Sequence, residues 1–139
     1  MAEEPLSVIK NLRTRLRKGE LQTIKEAQAR MVVVDPLLRA LDWDTGYLDQ
    51  VKAEYAMGGH EVDYALLISD IPKVFIEVKK PAVTLLARHR KQLLEYAFKR
   101  SVPLALLTNC VQWWFYLPLL PETDWFDRWS CMLDLEAGE

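Results

Sequence analysis

The chain lacks the materials for several common kinds of site. Of its 139 residues, two are cysteine, two histidine and five glycine. Cys110 and Cys131 are too few for a disulfide framework, and no Cys-x-x-Cys occurs. His60 and His89 with two distant cysteines do not suit a structural zinc site. No G-x-x-x-x-G-K-[ST] occurs, which excludes a P-loop motor. No apolar run reaches the length that spans a bilayer. The start, Met1-Ala2-Glu3-Glu4-Pro5, has no basic segment leading into an apolar one, so no signal peptide is expected. A cytoplasmic protein that avoids membranes fits best. A cationic excess is missing too: 18 Lys and Arg face 20 Asp and Glu, for a net charge of −2.

What is present is ordinary globular usage, 50% hydrophobic and 27% charged, in a length that suits one domain with a real core. The charges are unevenly placed. Lys10, Arg13, Arg15, Arg17 and Lys18 form one basic cluster. Lys79, Lys80, Arg88, Arg90, Lys91, Lys99 and Arg100 form another, opposed by Glu95 alone. Acid gathers from Glu122 onward. A basic surface with the acid elsewhere suits a phosphate backbone.

The most informative stretch runs from Asp63 to Lys79. Asp63 is embedded in the apolar run Val62-Asp63-Tyr64-Ala65-Leu66-Leu67-Ile68, and Glu77 and Lys79 in Val74-Phe75-Ile76-Glu77-Val78-Lys79. Charges inside buried-type strands are costly and usually have a task. An antiparallel hairpin with a three-residue loop, Ser69 to Ile71, sets Asp63 opposite Glu77, with Lys79 on the same face. Directly opposite side chains have Cβ atoms about 4.5–5.5 Å apart. Two carboxylates that close repel, and a hard divalent cation relieves the repulsion. Oxygen ligands favour Mg²⁺, with Mn²⁺ as a substitute. An ordinary cross-strand ion pair is the plain alternative.

Elsewhere, helices are expected over Leu6–Lys18, from Thr23 through Asp35-Pro36 (a cap followed by a first-turn proline), and over Thr84–Lys99. Strands are expected at Val51–Tyr55, the two hairpin arms, Ala105–Thr108 and Trp113–Leu117, with a final edge strand within Trp125–Leu135. The Val74–Lys79 strand, the following helix and Ala105–Thr108 form a crossover with parallel strands. The fold class is α/β, with a mixed central sheet of about five strands flanked by helices. The expected organisation is a single domain: an N-terminal helical extension at 1–20, a core at 21–117 and an acidic segment at 118–139. Trp113, Trp114, Phe115 and Tyr116 are expected mainly in the core.

In order and spacing, several elements resemble the PD-(D/E)XK nuclease superfamily, and more narrowly the N-terminal nuclease domain of the restriction subunit of type I restriction enzymes. They are Glu26-x-x-x-Arg30, Asp35-Pro36-Leu37-Leu38-Arg39-Ala40-Leu41-Asp42-Trp43-Asp44, Val62-Asp63-Tyr64-Ala65-Leu66, Ile76-Glu77-Val78-Lys79-Lys80-Pro81, Gln92-x-x-x-Tyr96, and Leu107-Thr108-Asn109 before Trp114-Phe115-Tyr116.

The resemblance implies a restriction-endonuclease-like core. It implies Asp63, Glu77 and the Val78 backbone carbonyl as metal ligands, Lys79 as the catalytic lysine, and Glu26 as the acidic residue of the first helix. Gln92 and Tyr96 fall on the family's Q-x-x-x-Y motif. Glu26 and Arg30 also have the spacing of a plain helix ion pair. Arg88, Gln92 and Tyr96 share a helix face and are expected to contact nucleic acid, with Lys80 and His89 as backbone contacts or plain solvent residues rather than catalysts. Asp42 and Cys110 stand at turn positions where the family usually has glycine.

The implied activity is Mg²⁺-dependent hydrolysis of DNA, with other restriction-system subunits as partners. Cutting both strands calls for a homodimer or two visits. The alternatives are a non-catalytic nucleic-acid-binding or assembly module on the same fold, or a purely structural α/β domain.

Overall fold

The structure is a computed structural model, and it describes residues 4–57, 59–119 and 129–136. Helix α1 (Pro5–Arg17) starts with proline in its first turn, where a missing N–H costs nothing. Its buried residues Val8, Leu12 and Leu16 recur every fourth position and form one stripe. Gly19, at φ +78°, takes the left-handed turn that follows.

The next helical run covers α2 (Glu26–Ala29), a π-helical turn (Arg30–Val34) and α3 (Asp35–Ala40). The expected cap at Asp35 is not formed. The π turn carries the helix straight through this position, and the Asp35 carboxylate accepts the Tyr64 hydroxyl hydrogen bond instead.

Among the described residues six strands form one sheet in sequence order: β1 (Val51–Met57), β2 (His60–Ile68), β3 (Ile71–Val78), β4 (Leu104–Thr108), β5 (Gln112–Tyr116) and β6 (Trp129–Asp134). Only β3 and β4 pair in parallel, and helix α4 (Ala87–Lys99) lies between them in sequence. The sixth strand is the expected last edge strand. Residues 125–128 of that expected segment lie outside the described residues.

Strand alternation assigns the two cores. Leu66, Ile76, Val78, Leu106 and Trp113 pack with α1 and the run from Ala29 to Ala40. Ala65, Leu67, Phe75, Leu107 and Tyr116 pack with Leu93, Leu94 and Ala97 of α4. Both faces of the sheet are covered, which is why its strands are apolar on both sides. The four aromatic residues from Trp113 to Tyr116 divide between these two cores, as expected.

Helix α4 starts at Ala87, three residues later than the sequence suggested. The 79–86 loop is held by Asn109, whose Nδ2 donates to the Val83 carbonyl at 2.7 Å. The Asn109 Oδ1 accepts the N–H groups of Val111 and Gln112 at 3.1 and 2.8 Å. Leu107-Thr108-Asn109 thus fixes the path from β3 to α4. Asp42 and Cys110 both adopt positive φ, 69° and 78°. That conformation explains why glycine suits these two turns.

Candidate active site

The β2–β3 hairpin sets the site. Its rungs near the tip are Ile68 with Ile71 and Leu67 with Pro72. The loop is therefore two residues, Ser69 and Asp70, both left-handed (φ 52° and 64°), the geometry of a tight hairpin turn. The expected three-residue loop is wrong. The next rung pairs Leu66 with Val74, so Lys73 is an extra residue in a bulge. That extra residue restores the expected register. Tyr64 pairs with Ile76, and one step on, the Asp63 N–H donates to Glu77 Oε1 at 3.3 Å.

At Asp63 the strand changes character. Ala65 and Leu67 face α4, and Val62 joins them there, so the alternation breaks in between. On β1, Ala53 pairs with Tyr64 and Tyr55 with Val62, while Glu54 between them takes φ 51°. The backbone ladder gives way here to side chains. Asp63 Oδ2 accepts the Val78 N–H at 2.6 Å, and Oδ1 accepts Arg30 Nη1 at 3.0 Å. Arg30 also reaches Glu54 at 3.4 Å. Burial lowers the Arg30 pKa, but the charges of Asp63 and Glu54 outweigh that and carry it above its ordinary value.

Glu77 is half-buried, with Lys79 Nζ 3.7 Å from its Oε2. Burial first, and then the charge of Asp63, push the Glu77 carboxyl up to about 8, against a weaker pull from Lys79. A carboxyl held protonated near neutrality beside a second carboxylate is a place where positive charge is wanted.

Beside this pair lies a cavity of about 260 Å³, lined by Glu61, Val62, Glu77, Lys79, Arg88, His89, Gln92, Leu93 and Tyr96. It brings together five residues expected at the site: Glu77, Lys79, Arg88, Gln92 and Tyr96. Asp63 is 8% exposed and sits behind them, bonded to Glu77 and Val78. Tyr96 is largely a core ring, stacked on Phe75 with centroids 5.1 Å apart. Lys80 is exposed and outside the lining.

Glu26 is exposed and outside the cavity lining. Arg30 forms its ion pairs with Asp63 and Glu54 rather than with Glu26. Sequence reasoning gave Arg30 no place at the site, and nothing in its spacing revealed one. Glu61 was not expected here, and His89 was expected as a backbone contact or a plain solvent residue rather than a catalyst; both line the cavity. His89 had a visible signal, since His89, Gln92 and Tyr96 follow the i, i+3, i+7 pattern of one helix face.

The donors fit a hard cation. Among the described residues no three of His, Cys, Asp and Glu cluster as metal ligands. The donors that the resemblance implies are two carboxylates, Asp63 and Glu77, with the Val78 carbonyl. Mg²⁺ commonly takes one or two carboxylates and fills its remaining positions with water and phosphate. Each carboxylate has about four lone-pair sites. Arg30 and Val78 occupy two on Asp63, and the Asp63 N–H occupies one on Glu77, with Lys79 an ion-pair partner at 3.7 Å.

The family described as the type I restriction enzyme R protein N terminus matches residues 47–122, more than half of the chain. The chain belongs to this family. The matched part of the R protein N terminus holds β1 to β5 and α4, and with them Asp63, Glu77, Lys79, Gln92 and Tyr96. Glu26 and Arg30 precede it. Membership ties the chain to restriction systems and to nuclease-related proteins. No curated protein and no solved structure matches it. Among the described residues no helix is long and apolar enough to cross a membrane.

Proposed function

We propose that the chain is a Mg²⁺-dependent endonuclease of the PD-(D/E)XK kind that hydrolyses DNA phosphodiester bonds. The observation that carries this reading is the interlocked pair Asp63–Glu77 at the open end of the hairpin. Lys79 is 3.7 Å from Glu77, at a cavity whose opposite wall presents Arg88 and Gln92.

Asp63, Glu77 and the Val78 carbonyl would hold the ion, which polarises a phosphate oxygen and acidifies a bound water. The residues of the chain do the rest. The Lys79 ammonium orients the attacking water and balances charge that builds on the phosphoryl oxygens. Arg88 and Gln92 on α4, with Lys80 nearby, hold the phosphate backbone, and Tyr96 borders the cavity. The water oxygen joins phosphorus, the ester oxygen leaves, and the leaving oxygen gains a proton. Glu26 stands on the exposed helix start, and the family resemblance gives it the role of holding a further water or ion.

The expected partners are DNA and other subunits of a restriction system, in the cytoplasm, with a second copy for two-strand cuts. A supercoiled-plasmid assay tests the activity. Wild type should nick with Mg²⁺ or Mn²⁺ and not with EDTA. Equal traces of nicking from wild type and Asp63→Ala would refute it.

One observation favours a second reading, a non-catalytic nucleic-acid-binding or assembly module: Arg30 already neutralises Asp63. Salt-dependent DNA binding in EDTA, with no cleavage under any divalent metal, would select that reading.

A further inference from the structure

His89 has a fixed orientation that the nuclease reading leaves unused. Its Nδ1 accepts the Leu86 N–H at 3.0 Å, and its own backbone N–H donates to the Leu86 carbonyl at 3.0 Å. This reciprocal pair clamps the ring at the start of α4. A ring nitrogen that accepts a backbone N–H carries no proton, so in the neutral ring the proton is on Nε2. The tautomer is thereby chosen by the backbone. The side chain lines the same cavity as Lys79, Arg88 and Gln92.

We propose that His89 is a substrate-contacting residue, presenting a fixed, uncharged Nε2–H donor to a non-bridging phosphate oxygen of the nucleic-acid backbone, beside the charged contact made by Arg88. The proposal rests on the nucleic-acid reading of this cavity and adds a contact to it.

Three physical points support it. Glu61 and Glu77 also line the cavity, but the charges that act on the His89 ring are those of Lys79 and Arg88, so a full charge on the ring would repel them, whereas a neutral donor adds a hydrogen bond without that cost. Burial, then Lys79 and Arg88, lower the His89 pKa and favour the neutral ring. The donor is also pre-oriented, so little rotamer freedom is lost on binding. Phosphate oxygens are the same at every step of a polynucleotide, so such a contact positions the backbone without reading sequence.

The two kinds of contact differ in a measurable way. Each cation that neutralises a phosphate releases counterions and adds about 0.9 to the slope of log affinity against log salt on duplex DNA. A neutral donor adds affinity but no slope. The test is binding of a fluorescein-labelled DNA duplex in EDTA, near neutral pH, across a salt series, with the folded state of each variant checked by circular dichroism.

His89→Ala should weaken binding about five-fold, the size of one hydrogen bond, with the slope unchanged. His89→Gln, which keeps an N–H donor at similar reach, should recover part of the loss. Arg88→Ala should weaken binding and reduce the slope by about 0.9. In the free wild-type protein, the long-range ¹H–¹⁵N spectrum of His89 should show the proton on Nε2.

A proton on Nδ1, affinity unaffected by His89→Ala, or a slope that falls as it does for Arg88→Ala would each overturn the proposal. A purely structural His89 would lower the melting temperature and leave the affinity of the folded protein intact. Failure of wild type to bind DNA at all would instead sink the nuclease reading, and this contact with it.

Discussion

The two ends of the β2–β3 hairpin solve the same problem by different means. At the closed end, backbone groups meet through a two-residue turn in which Ser69 and Asp70 both take left-handed φ, and one extra residue, Lys73, bulges out next to Pro72. A bulge is one of the few places where proline suits a strand. At the open end the ladder stops at Tyr64 and Ile76, and side chains take over its hydrogen bonds. Asp63 accepts the Val78 N–H, and Glu77 accepts the Asp63 N–H. The closed end uses neutral groups satisfied locally. The open end uses carboxylates whose mutual repulsion is offset by Arg30 from one side and Lys79 from the other. Charge concentrated where a ladder opens is what distinguishes the proposed site from the closed end, where left-handed backbone makes only a turn.

The sharpest way to break this contrast is to remove charge from the open end. Asp63→Asn keeps the shape and should cut DNA nicking by about 10³-fold or more, within the range seen when a group acting on transition-state charge is lost. Initial rates on supercoiled plasmid measure it. Melting of the same variant should change far less than its activity.

A smaller effect concerns pH. Glu77 is raised from 4.5 to about 8, so the folded state binds its proton more tightly than the unfolded state does. Stability from this group is complete below about pH 4.5 and is lost as pH rises through about 8. The ion-free protein should therefore lose on the order of 2–4 kcal/mol across that window. Glu77→Gln should flatten the loss, and added Mg²⁺ should reduce it. Urea melts at a series of pH values decide this, and a loss of the same size in the Gln variant would contradict it.

Arg30→Met tests the counter-cation. Removing one partner leaves the Asp63 carboxylate without its guanidinium, at a cost of about 2 kcal/mol in EDTA. Divalent ions should recover much of that cost, because the vacated charge is what they supply. Thermal melts with and without Mg²⁺ give both numbers.

The smallest effect lies at the closed end. Ser69→Asn with Asp70→Gly places the residues that such a turn prefers, and should stabilise by roughly 0.5–1 kcal/mol without altering cleavage.

The sequence made the hairpin, the crossover and the Asp63–Glu77 pairing legible, because strand parity and an apolar pattern carry that information. It concealed how the register arises. A three-residue loop without a bulge and a two-residue loop with one give the same pairing, and only coordinates separate them. With the two-residue loop and no bulge, Asp63 would face Ile76 instead. The π turn was also hidden. Arg30-Met31-Val32-Val33-Val34 reads like any apolar helix, and the turn is explained only by tertiary packing of Ala29, Val33 and Val34 on the sheet. Helix α4 starts later than Thr84 because the cap that forms is the reciprocal Leu86–His89 pair. Asp35 reads as a cap before Pro36, and Tyr64 claims it. In each case a short-range rule yielded to a partner distant in sequence or in a neighbouring turn.

Lys73 has one more consequence. Because a single spare residue can be taken up on either side of the tip, the hairpin has slack at the end farthest from its chemistry. Ser69 stands about six strand residues from Asp63, or roughly 20 Å at the usual rise. A fluorophore or a grafted peptide inserted at Ser69–Asp70 should be absorbed within the first rungs, which makes that corner the natural place for a handle that reports on the proposed nuclease centre without touching it.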